Sequence, residues 1–157
     1  RGDVTKLPFR SEAFDLVTAN MVVEHLDNPN EQFKEISRIL RPKGVFLFHT
    51  PNAHGYGVIL SKIVPESLKG KLIYLLEGRE EHDVFPTHYK ANTESQVKAL
   101  AQANGFEILQ LDLNATDAIF AMIPPLAALE LLWIRLLMTQ PFRRLRTNMI
   151  VALRKLP

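Results

Sequence analysis

Between Phe14 and Ala19 the chain reads FDLVTA, a short apolar run that fits a buried strand of a parallel sheet. Asn28 and Pro29 then mark a helix start, and Glu31 stands three residues after Asn28, the spacing of a capping box. Phe33, Ile36, Ile39 and Leu40 share one face of the predicted helix, and Arg41–Pro42–Lys43–Gly44 stops it. A second strand is predicted over Gly44 to Thr50, ended by Pro51. Strand, helix and strand in this order predict a right-handed parallel crossover and an α/β fold.

The pattern is less regular over 53–91, where short helices broken near Pro65 lead into an exposed loop. A long connection of this kind is commonly a lid or substrate segment. A helix follows from Thr93, capped by Thr93 and Gln96 and stopped by Gly105. The alternating FEILQLDLNA predicts a strand, half exposed or near an edge, and NMIVALRKL from Asn148 predicts a last strand, antiparallel if the two form a hairpin. Between them, 115–147 predicts a helical insertion. Its apolar stretch is interrupted by Pro124, Pro125, Glu130 and Arg135, so it is not a membrane span.

Composition bounds the function. The chain has 157 residues, 46% of them hydrophobic and 23% charged, as in one soluble domain with a real core. A net charge of +2 gives no reason to expect nucleic acid. The distribution is uneven: no acid follows Glu130, whereas Arg135, Arg143, Arg144, Arg146, Arg154 and Lys155 do. With the apolar stretch, this allows peripheral membrane contact through 118–146, against the plainer reading of an ordinary helical cover with a solvated basic end. No cysteine is present, which excludes disulfides and cysteine zinc sites and suits a cytoplasmic protein.

The ordered pieces GDVTKLPF, FDLV, EHL, EISRILRPKG and TPN, followed by NTESQVKALAQANGFEIL, resemble the middle and C-terminal part of a class I S-adenosylmethionine-dependent methyltransferase of small-molecule type. The resemblance implies a Rossmann-like sheet that retains strands four to seven, so that 1–157 would be a partial domain. It implies methyl transfer from S-adenosylmethionine to a small-molecule or lipid-linked acceptor. Asp3 would accept a hydrogen bond from the adenine amino group and Val4 would meet the adenine ring. Ala19 and Asn20 would lie near the methionine part of the cofactor. The family's acidic residue and G-x-G-x-G loop are not in this sequence; Gly55–Tyr56–Gly57 is its only G-x-G. The chain by itself is therefore expected to bind the cofactor weakly and to be inactive, unless it belongs to a methyltransferase-like binding or regulatory domain.

A general base near the acceptor assists methyl transfer when the acceptor atom is weakly nucleophilic. Histidine titrates near neutrality, and His25 follows the first strand on the side where such sheets place ligands. Two readings stand for Glu24 and His25: His25 as base or substrate contact with Glu24 beside it, or the pair as a brace for the strand end. Related methyltransferases carry a further Glu for a divalent metal where this chain has Met21, so no metal is expected. His54, His88 and Tyr89 are further candidates for the acceptor side, with His82 and Phe85 in the same irregular segment. His49 is expected to pack at the core edge.

Overall fold

The computed structural model describes residues 4–63, 65, 86–115, 120 and 123–157. Asp3, His82 and Phe85 lie outside the described residues. Strand β1 spans Phe14–Asn20, a 3-10 turn spans Val23–His25, helix α1 spans Pro29–Ile39 and strand β2 spans Leu40–Pro51. Helices α2 (Tyr56–Ile63) and α3 (Glu94–Ala103), strand β3 (Phe106–Asn114), helix α4 (Pro124–Leu137), a 3-10 helix (Gln140–Leu145) and strand β4 (Asn148–Lys155) complete the order.

The described strands form one sheet in the order β1-β2-β4-β3, with β1 and β2 parallel across α1. β4 runs against both neighbours. Gly105 O accepts from Leu156 N at one end of the β3–β4 pair, and Asn114 O accepts from Thr147 Oγ1 at the other. Leu40 O accepts from Lys155 Nζ near the start of β2, and Thr147 O accepts from Asn52 N just past its end. The predicted α/β class and the antiparallel last hairpin are therefore present.

Two compact units emerge. The first contains 1–51, 87–112 and 149–157, and the second contains 52–86 and 113–148. In the first, Phe33 of α1 stands edge-on to Phe46 and Phe48 of β2, with ring centroids 5.5 and 6.0 Å away. Met149, Val151 and Leu153 alternate into the core from β4, as period-two pleating requires.

Three local expectations change. β2 begins at Leu40 rather than Gly44, because Arg41–Lys43 bulge within the strand. Phe14 pairs with Leu40 and Leu16 with Val45, so two steps on β1 face five on β2. Gly44 closes this bulge, since a Cβ there would lie 2.9 Å from Arg41 O. β1 is not a buried strand: Leu16 is 54% exposed, because β1 is the sheet's edge among the described strands. Finally, Asn28 makes no side-chain cap; Asp27 Oδ1 instead accepts from Asn28 N at 2.8 Å. The predicted Thr93 cap does form, with Thr93 Oγ1 accepting from Gln96 N, and Gly105 ends α3 with φ +71°.

Candidate functional site

Parallel strands place ligands beyond their carboxyl ends. In the first unit those ends are Asn20 on β1 and Thr50–Pro51 on β2. Ala19 is half-buried there and Asn20 is exposed. Asn20 pairs in register with His49, and its side-chain oxygen lies 2.8 Å from His49 Nδ1. The amide oxygen can only accept, so the shared proton sits on Nδ1. His49, expected to pack at the core edge, is half-buried on β2, and the strand register sets it beside Asn20. Strict alternation was the signal, since Phe46, Phe48 and Thr50 are buried and the residues between them face the other way.

After β1 the chain turns sharply. Met21 adopts φ +52° and donates its N–H to His49 O at 2.9 Å. A non-glycine residue in this region costs about 1 kcal/mol and persists only where its surroundings hold it. The turn delivers Val23 and Glu24 inward. Glu24 is 3% exposed, and its Oε2 accepts from Thr50 Oγ1 at 2.8 Å. The same hydroxyl accepts from Asn92 Nδ2 at 2.8 Å, and Asn92 also donates to Pro51 O. A buried carboxylate needs such donors to offset its lost hydration. Asn92 Oδ1 is buried without a hydrogen-bond partner.

The Glu24 carbonyl accepts from two further amides, His88 N at 2.8 Å and Tyr89 N at 3.2 Å. Tyr89, like Met21, has a positive φ, at 51°. The 3-10 turn, the end of β2 and the segment before α3 are thus tied at one carboxylate-bearing residue. Glu24 is buried here, with its carboxylate tied to Thr50 and its carbonyl to His88 and Tyr89. His25 is one-third exposed, with Nε2 3.8 Å from Glu24 Oε1. The His88 side chain is exposed and Tyr89 is half-buried. His54 belongs to the second unit, where its N–H donates to Asn52 Oδ1 at 3.1 Å. Sequence reasoning missed Thr50 and Asn92. Their only sequence signal is a polar residue at each of two element ends.

Val4, half-buried in a turn, begins a segment fastened to α1. Glu35 accepts from Leu7 N, while Arg38 donates to Phe9 O and pairs with Glu35 at 2.7 Å. The hydrogen bond from Arg38 holds the Glu35 carboxyl below the usual carboxylate range; burial opposes this and the Leu7 N–H adds to it. Among the described residues, no group of three or more His, Asp or Glu could hold a metal ion.

Residues 1–48 match the family model of a methyltransferase domain, a stretch that ends on β2 just before His49. Over 48 residues the chain is 35% identical to a malonyl-[acyl-carrier protein] O-methyltransferase of Methylovorus sp. (strain MP688), covering 31% of this chain and 16% of that protein. Over 51 residues it is 41% identical to a protein of Mycolicibacterium smegmatis named as a probable S-adenosylmethionine-dependent methyltransferase, covering 32% of this chain and 20% of that one. The fold resembles that of an S-adenosylmethionine dependent methyltransferase from Mesorhizobium loti, with a TM-score of 0.53 and 18% identity, over 99% of this chain and 68% of that structure. The matched stretch thus spans a fifth or less of these sequence relatives. Residues 1–48 thus resemble a methyltransferase domain, and the chain's fold resembles that of Rossmann-like methyltransferase structures.

Proposed function

We propose that the chain supplies the acceptor side of an S-adenosylmethionine-dependent methyltransferase acting on a small-molecule or lipid-linked acceptor. One observation carries the reading. Within the stretch that matches a methyltransferase domain, β1 and the turn after it carry Asn20, Glu24 and His25 to the ligand end of a parallel strand.

The residues at this end suit the cofactor in kind. The Asn20 amide nitrogen can donate to a carboxylate such as that of the methionine part, while its oxygen is engaged by His49. Ala19 beside it is small enough for close approach. When bound, S-adenosylmethionine supplies a methyl group on a sulfonium that leaves readily. The protein's part is to orient the acceptor and to take its proton. His25 takes that proton, and the Glu24 carboxylate stabilises the imidazolium that results. His88 and Tyr89, fixed through their amides to Glu24 O, border the acceptor. A second reading gives the proton to His49, favoured by its Asn20 contact.

The sequence contains no G-x-G-x-G element, and its one G-x-G, Gly55–Tyr56–Gly57, lies at the start of α2 in the second unit with Gly55 packed against Thr147. We therefore expect the chain alone to bind cofactor weakly. Calorimetric titration with S-adenosylhomocysteine tests this, and low-micromolar affinity would overturn it. Methyl transfer by the full-length gene product, with labelled cofactor and an acceptor panel, tests the function. His25→Gln should lower kcat with saturating acceptor. If His49→Gln does so instead, the second reading holds. Tight cofactor binding without turnover on any acceptor would favour a regulatory domain.

A further inference from the structure

We propose that the outward face of α4 docks on the surface of an anionic lipid bilayer. Within the second unit, α4 is anchored from its inner side. Glu130 is 5% exposed, and its two oxygens accept from Tyr56 OH at 2.7 Å and Phe120 N at 2.8 Å. Leu137 is fully buried, and Trp133 stands edge-on to Tyr56 and Phe142.

The adjoining outward stripe is also apolar. Leu129, Leu132 and Leu136 follow at steps of three and four, which puts them in one stripe, and they are 64%, 63% and 40% exposed. Leu131 and Met138 beside them are 58% and 59% exposed. A water-facing helix normally turns polar residues outward, and single exposed leucines are ordinary where a continuous stripe is not.

Charge selects the occupant. The single acid of the helix, Glu130, is turned inward and hydrogen-bonded. Arg135 on the helix and Arg144 on the following 3-10 helix are exposed, and Phe142 packs that 3-10 helix onto α4 through Trp133. Arg146 is not part of this set, because its guanidinium is held by the Leu113, Leu137 and Met138 carbonyls. No acidic residue occurs after Glu130 in the sequence. Two copies meeting face to face would bring like charges together, whereas lipid phosphates complement them. At 14 residues α4 is about 21 Å long, short of the roughly 30 Å of a bilayer core, so it lies on the surface and does not cross. No described helix is long and apolar enough to span. The inference stands apart from the methyl-transfer reading.

Flotation of the whole chain with phosphatidylcholine vesicles, and with vesicles containing phosphatidylglycerol, tests it. The chain should float with the anionic vesicles, less so as salt rises. Leu129→Ser/Leu132→Ser and Arg135→Glu/Arg144→Glu should each reduce partitioning about tenfold or more. All four side chains are exposed, so circular dichroism and melting temperature should stay at wild-type values. Absence from the anionic vesicles at low salt would overturn the proposal, as would undiminished binding of the leucine double variant. A dimer in lipid-free sedimentation that Leu129→Ser/Leu132→Ser dissociates would also overturn it, by making a second copy the occupant.

Discussion

Thr50→Val isolates the bracing of the site, because it keeps the side-chain volume and the β-branch while deleting one hydroxyl. That hydroxyl donates to Glu24 Oε2 and accepts from Asn92 Nδ2, both at 2.8 Å. Glu24, Thr50 and Asn92 are 3%, 0% and 0% exposed, so water cannot simply replace it. A hydrogen bond to a charged group is worth about 1.5–3 kcal/mol and a neutral one near ~1 kcal/mol, which puts the combined loss at about 2–4 kcal/mol. Against a total stability of roughly 5–15 kcal/mol this is large. Urea unfolding followed by far-UV circular dichroism should show a midpoint lower by about 1 M or more with an unchanged slope. Trp133, the only tryptophan, sits in the second unit, so its fluorescence is the wrong probe for this network. The amides of His88 and Tyr89, which donate to Glu24 O, should exchange faster with solvent. Thr18→Val, on the exposed side of β1, is the control. A Thr50→Val protein within about 0.5 kcal/mol of wild type, with His88 and Tyr89 still protected, would refute the bracing role.

Three further outcomes follow from the first unit. The Glu35 carboxyl is depressed in the folded state, so its stabilisation is complete above the ordinary value of 4.5 and is lost as pH falls through the folded value. Glu35→Gln should therefore flatten the fall of the urea midpoint in acid. Glu107, depressed by its hydrogen bond from Arg154, should leave a residual slope; a Glu35→Gln profile identical to wild type would sink the assignment. Gly105→Ala should lose only the ~1 kcal/mol of a left-handed backbone, because φ is +71° and no atom lies within 4 Å of the added Cβ; a much larger urea-midpoint shift would mean that a clash exists. Phe33→Ala should lose about 3–5 kcal/mol, as its ring is fully buried between α1 and β2, and a loss below about 1 kcal/mol would deny it a core role.

Much of the fold was legible because local chemistry and tertiary packing agree. The apolar run in NMIVALRKL marked a strand, whose pleat carries Met149, Val151 and Leu153 into the core, and the 3.6-residue spacing of Phe33 and Ile36 put one face of α1 there. Thr93 and Gly105 marked the two ends of α3 because each does its work within a single turn. Errors arose where a partner decides. FDLVTA reads as buried because it is apolar, yet exposure depends on which strand lies beyond β1, and Leu16 alone cannot report that. RPKG reads as a stop because Pro and Gly usually end helices, but helix α1 stops one residue earlier and the bulge carries the Pro within β2.

The candidate site was legible in its address and not in its division of labour. A strand end followed by Glu24–His25 names the place where a parallel sheet meets its ligand. Which residue braces and which faces outward depends on φ at Met21, a backbone choice that no side-chain pattern encodes. With Met21 left-handed, Glu24 turns under the strand end onto Thr50 and His25 stays one-third exposed. The same register that hides Glu24 brings His49 out to Asn20, so burying the carboxylate and presenting the two imidazoles are one structural event. The Glu24–Thr50–Asn92 network thereby holds the turn that carries His25. Loosening it should displace His25 and the His88–Tyr89 segment together.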